Sequence, residues 1–151
     1  MSDKAIFKRL AKRLESFRDE MIDLQTKLCA IPAISPTSGG EGEAKKAEFL
    51  ESYLRDSGFQ DISVIKAPDP EAPQGYRPNI LAFYRGHSSQ KTIWVMTHMD
   101  VVPPGELSLW RADPFKAWVE KGRIYGRGVE DNQQDMVASI FAVKAFMAEN
   151  L

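Results

Sequence analysis

Two short clusters carry the residue types that could do chemistry. The first is Thr97-His98-Met99-Asp100-Val101-Val102-Pro103, at the end of an apolar run. Side chains two apart on an extended strand point to the same side, so His98 and Asp100 face one crevice together. In open α/β sheets, ligands bind in the crevice beyond the carboxyl ends of the strands. A neutral imidazole is a good zinc ligand, and a nearby carboxylate that accepts its other N–H fixes the tautomer. Asp100 suits that supporting task. The competing reading is a histidine that is merely hydrogen-bonded at a strand end.

The second cluster is Gly126-Arg127-Gly128-Val129-Glu130-Asp131-Asn132, just before a helical pattern. Gly126 and Gly128 permit torsions and close approaches that other residues do not. Asp131 has two readings. As the N-cap of the following helix it would pair with Gln134 in a capping box, with Asp135 in the first turn. As a carboxylate near His98 it would be a metal ligand. Local sequence alone favours the cap. The glycines do not have the spacing of a dinucleotide-binding or P-loop motif, which argues against a nucleotide-binding domain. His87 lies in a polar turn and reads as surface. Cys29, the single cysteine, reads as a buried, inert thiol.

The elements that must position these clusters follow from apolar spacing. Ile6, Phe7, Leu10, Leu14, Phe17, Met21, Leu24 and Leu28 fall on one stripe, predicting a helix over Lys4 to Leu28. Pro32, Pro36, Gly39 and Gly40 break it. A second amphipathic helix runs from Glu41 to Ser57, with Gly58 at C′. Asp61 to Lys66 reads as a strand, and the proline-rich Ala67 to Pro78 as a loop. Asn79 to Tyr84 and Thr92 to Thr97 read as neighbouring strands, the second covered on both faces because Ile93 to Met96 is continuously apolar. Short strands are expected around 117–119 and 123–125, and a last helix begins near Asn132 or Gln133. Helices covering an inner sheet imply an α/β fold, with helices packed on a mixed β-sheet.

The bulk numbers set outer limits. A length of 151 residues suits one domain, and the composition, 43% hydrophobic and 27% charged, is that of a globular chain. Twenty basic residues against 21 acidic ones leave a net charge of −1, which gives no support for nucleic-acid binding. No apolar run has signal-peptide or membrane-spanning length, and one cysteine makes no intrachain disulfide. The cytoplasm is therefore the expected compartment.

Taken together, the stretches from Thr97 to Asn132 resemble metallopeptidase family M20, the group of aminoacylases, glutamate carboxypeptidases, acetylornithine deacetylase and succinyl-diaminopimelate desuccinylase. The matching residues are His98 to Pro103, Trp110, Asp113-Pro114-Phe115, Gly122 to Gly128, and Asp131-Asn132. The resemblance implies two divalent metal ions, zinc first and cobalt as the alternative. It makes His98 a terminal ligand of one ion and Asp131 a bridge between both, and it counts Asp100 with the catalytic residues as support for His98. It also implies a cis peptide after Asp131. The family commonly continues with Lys-Gly where this chain has Gln133-Gln134-Asp135, which leaves the specificity subgroup open.

By the same resemblance, a glutamate pair, a further carboxylate and a second histidine lie beyond Leu151. Residues 1–151 are therefore expected to be the N-terminal portion of an incomplete zinc-peptidase-like catalytic domain, without its dimerisation domain. The complete enzyme would cleave amide bonds of N-acyl amino acids or small peptides and form a homodimer. The isolated chain is expected to be inactive and to self-associate through uncovered apolar surface. The alternative is a non-catalytic α/β module in which His98 and Asp131 serve structure.

Overall fold

The apolar stripe that predicts one helix is folded as two. In the computed structural model, which describes residues 2–88 and 90–151, α1 spans Asp3–Ser16 and α2 spans Arg18–Cys29. The break is at Phe17, whose φ of −90° and ψ of 3° lie outside the helical basin. Turning there lets Phe17 lie against Phe141 with ring centroids 5.5 Å apart. The amphipathic helix α3 covers Ala44–Asp56. It ends in a Schellman arrangement, with Gly58 N–H donating to Arg55 O and Phe59 N–H to Leu54 O.

Strands β1 (Asp61–Pro68) and β2 (Tyr76–Phe83) form an antiparallel hairpin with Asp61 opposite Phe83 and Pro68 opposite Tyr76. The proline-rich loop is shorter than expected, because Pro68 and Pro78 both lie within strands. Strands β3 (Trp118–Glu120) and β4 (Arg123–Tyr125) form a second antiparallel hairpin close to the expected position. A kinked turn over Val129–Gln133, non-helical at Asp131 and Asn132, leads into α4, Gln134–Ala148.

The core is a layer of Leu24 and Leu28 from α2, Leu50 and Leu54 from α3, Phe59, and Met136, Val137, Ile140 and Phe141 from α4. Each fully buried aliphatic or aromatic side chain contributes about 1.5–3 kcal/mol, so this layer is what holds α2, α3 and α4 together. The architecture is α/β. Its sheet component consists of antiparallel pairs, and the parallel pairing among the described residues is the single bridge between Ile34 and Val101.

The expected pairing of 79–84 with 92–97 does not form. A short turn, in which Asp69 N–H donates to Gly75 O, brings β1 beside β2 instead. Residues 92–97 join no ladder, and the apolar run expected to be covered is open, with Ile93 89% and Met96 84% exposed. No described element lies over it; Trp94 meets only the Phe83 ring edge-on among the aromatic contacts, at 6.2 Å. No helix among the described residues is long and apolar enough to cross a membrane.

Candidate metal centre

His98 is held on three sides. Its backbone N–H donates to Asn132 Oδ1 at 3.2 Å. Its Nδ1 lies 3.0 Å from the backbone oxygen of Asp100 and 3.1 Å from Asp100 Oδ1. A carbonyl oxygen only accepts, so Nδ1 carries a proton. The spacing of His98 and Asp100 thus does what the sequence suggests: it puts ring and carboxylate together.

Asp131 completes the arrangement from the other cluster. Its Oδ1 lies 3.1 Å from His98 Nε2, and its side chain is 78% exposed. The capping role is not what the structure shows. Gln133 precedes α4 as N-cap, and among the described residues no side chain caps that helix. Asp131 instead has φ −110° and ψ 98°, outside helical space, which turns its carboxylate toward His98. The Asp131–Asn132 peptide is cis, as expected, and Asn132 is the residue that receives the His98 amide.

Close packing sets the distance between the two clusters. Gly128 has φ 79°, and a Cβ built on it would lie 2.4 Å from Val101 Cγ1. A Cβ on Gly126 would lie 2.7 Å from Cys29 Sγ. Neither position has room for a side chain. Val101 N–H donates to Ala33 O at 3.0 Å, and the Gln25 side-chain amide donates to Val129 O, so α2 and the loop that follows it anchor both clusters. The intervening loop is braced by the other residues that carry the resemblance. Trp110 Nε1 donates to Pro104 O at 2.9 Å, the Arg127 guanidinium lies 5.2 Å from the Trp110 ring centre, and Asp113 Oδ1 accepts from Phe115 N–H at 2.9 Å.

Behind the exposed pair is a set of charges that sequence reading missed. Lys46 on α3 is 1% exposed and donates from Nζ to Met99 O at 3.2 Å. Glu43, 5% exposed, is paired with both Nε and Nη2 of Arg77 from β2. Arg77 Nη2 lies 3.9 Å from Asp100 Oδ2, on the side of that carboxylate away from His98. The helix predicted over Glu41 to Ser57 contains both residues, but its apolar spacing gives no reason to expect Glu43 and Lys46 to be buried. Their only sequence signal is that they fall on the same turn as the buried Ala44 and Ala47.

The electrostatics favour a cation beside His98. Partial burial pulls its pKa down, but the Asp100 carbonyl and the Asp131 and Asp100 carboxylates outweigh this and raise it above the usual 6.5. In the neutral ring the proton is on Nδ1, so Nε2 presents a lone pair to the Asp131 oxygen. That opposition is relieved by a second proton or by a metal ion. Two donors each about 2.0–2.1 Å from one tetrahedral ion are about 3.3 Å apart, close to the separation here. The pair fits two ligands of one ion. Among the described residues no group of three His, Cys, Asp or Glu side chains converges to hold a metal by itself.

His87 is exposed, with Nε2 3.2 Å from the backbone oxygen of Asn150, and pairs with neither cluster among the described contacts. Cys29 is buried, and burial pushes its thiol pKa up, in keeping with an inert thiol.

Known proteins share this arrangement of sequence and fold. The profile of peptidase family M20/M25/M40 matches residues 94–151. An uncharacterized metallohydrolase of Methanococcus maripaludis is 35% identical over 142 residues, covering 91% of this chain and 34% of the relative. A succinyl-diaminopimelate desuccinylase of Methylocella silvestris is 33% identical over 129 residues, covering 85% of this chain and 30% of its own length. The structure of the di-peptidase Dug1p from Saccharomyces cerevisiae superposes with a TM-score of 0.79 at 29% identity, covering 95% of this chain and 31% of that one. The chain thus spans about a third of the length of the curated relatives it matches. With the His98–Asp100 pair, the Asp131–Asn132 turn and the braced loop between them all inside the aligned region, the chain belongs to peptidase family M20/M25/M40.

Proposed function

We propose that this chain supplies one wall of a divalent-metal hydrolase centre that cleaves amide bonds of N-acyl amino acids or small peptides. The observation that carries the reading is the 3.1 Å approach of His98 Nε2 to Asp131 Oδ1, with Nδ1 already committed to Asp100. His98 and Asp131 would be the metal ligands, Asp131 shared between two ions, and Asp100 fixes the tautomer that leaves Nε2 free. Asn132 holds the His98 backbone in register with the turn that carries Asp131. Divalent ions bound there, zinc first and cobalt as the alternative, supply Lewis-acid polarisation of a carbonyl and lower the pKa of water towards ~7. A small substrate with no nucleic-acid or membrane partner, a cytoplasmic setting and a homodimeric complete protein belong to the same reading. The desuccinylase and di-peptidase relatives support a substrate that is a small amide.

The test is metal binding by calorimetry with Zn²⁺ and Co²⁺. Binding by the chain that is lost in His98→Ala plus Asp131→Ala supports the centre; unchanged binding in that double variant sinks it. Because the described residues bring together two donors and not three, the 151-residue chain alone is expected to show no amidase activity. Reproducible turnover by the pure chain would overturn that expectation.

A further inference from the structure

The segment that carries His98 is weakly supported by its own backbone. Residues 91–100 join no ladder. Among the described residues, the hydrogen bonds that fix its end come from Val101 N–H to Ala33 O, His98 N–H to Asn132 Oδ1, and Lys46 Nζ to Met99 O. The third is unlike the others, because it uses a buried ammonium. Taking a lysine out of water is costly, and an apolar side chain of similar length would fill the same space without that cost. The charge must therefore be read from where it points. It points at the one carbonyl between His98 and Asp100.

Arg77 works on the neighbouring residue. Its guanidinium is held in place by the buried Glu43 carboxylate and lies near Asp100 Oδ2, while Asp100 Oδ1 faces His98 Nδ1. The two oxygens of one carboxylate are thus assigned to different partners. A carboxylate free to rotate would offer His98 no fixed acceptor, and the ring would lose its preference for the Nδ1–H tautomer.

We propose that Lys46 and Arg77 are positioning residues that set the Met99 carbonyl and the Asp100 carboxylate from the buried side, and through them the tautomer and aim of His98. The proposal rests on the metal-site reading above, and its first readout needs no metal. Long-range ¹H–¹⁵N spectra of the His98 ring, recorded on the metal-free chain above the pH at which the ring loses its second proton, report the tautomer directly. The chain as it stands should show mainly Nδ1–H. Lys46→Met and Arg77→Met should each shift the ring toward a mixture of tautomers, and Arg77→Lys should restore it in part. Zn²⁺ affinity should fall about 10- to 100-fold in the two Met variants, the usual effect of removing such outer support.

A purely structural role would change stability and leave the ring signature alone. Met variants that fold and keep both the original ring spectrum and the original Zn²⁺ affinity would overturn the proposal. If Lys46→Met fails to fold, Arg77→Met, at a partly exposed position, carries the same test by itself. The His98→Ala variant separates the two readings. Unchanged Zn²⁺ binding there removes the metal site, whereas a tautomer shift in the Met variants stands or falls independently of it.

Discussion

Gly128 presses its backbone against the Val101 side chain so closely that an added Cβ would lie 2.4 Å from Cγ1. Val101 follows Asp100, and Gly128 stands three residues before Asp131. This one contact therefore sets how far apart the segments carrying His98 and Asp131 sit.

Gly128→Ala combines a left-handed φ of 79° with that overlap. The expected loss of stability is about 2–4 kcal/mol, measured by urea unfolding. Gly122→Ala is the control. It has φ 75° with nothing within 4 Å of the added Cβ, so it should cost only about 1–2 kcal/mol. Equal losses at the two positions would show that Val101 gives way and the contact does not fix the site.

The raised pKa of His98 makes stability depend on pH in a definite direction. The folded protein holds the proton more tightly than the unfolded chain, whose histidine titrates near ~6.5. The contribution is fully present below that value and is lost as pH rises through the folded pKa. Unfolding midpoints should therefore decline above about pH 6.5 in the metal-free chain, and less so in His98→Asn. Zn²⁺ affinity should run the opposite way, rising with pH as the competing proton leaves. A pH-independent affinity would contradict the assignment of Nε2 as a ligand.

Lys46 gives a prediction of opposite sign. Burial pushes its pKa from 10.5 down to about 8, with the nearby Cys29, Asp100 and Glu43 offsetting only part of this. Between those two values the unfolded chain binds the extra proton, so stability rises with pH across that window. Lys46→Met should remove this rise and be neutral or stabilising at pH 7, by up to about 3 kcal/mol. Stability gained together with a disturbed His98 ring would mark Lys46 as a residue kept for the site at the expense of the fold. A large loss of stability at pH 7 would mean that the Met99 hydrogen bond outweighs the burial cost.

The open run Ile93, Trp94, Val95 and Met96 should drive association of the chain. Sedimentation velocity across a concentration series is expected to show reversible growth of larger species. Val95→Lys, on a side chain 64% exposed, should suppress it without lowering the unfolding midpoint. A monomer at all concentrations would mean that the run is too short or too twisted to template another strand.

The part of this protein that the sequence determined is the part that depends on near neighbours. Spacings of three and four residues gave α2, α3 and α4 their buried faces, and Gly58 gave α3 its end. The two-residue step from His98 to Asp100 put ring and carboxylate together, since alternation along an extended segment is a local property. The glycines at 126 and 128 marked a close approach before its partners were known.

What the tertiary structure decided depends on groups far apart in the chain. Phe17 ends a helix because Phe141 is there to meet it, which no helical pattern records. β2 pairs with β1 because a short turn brings them together, leaving 92–97 without the neighbour its composition suggested. Asp131 looked like a cap because a cap is decided within four residues. Its carboxylate went instead to an imidazole 33 positions away. Lys46 and Glu43 lie within the predicted second helix, where nothing in the local pattern marks a charged residue for burial. They are buried because Met99 and Arg77 supply the partners that make burial tolerable, and those partners come from other elements. The residue types of the site were legible in order along the chain, but which atom faces which was settled only by long-range packing.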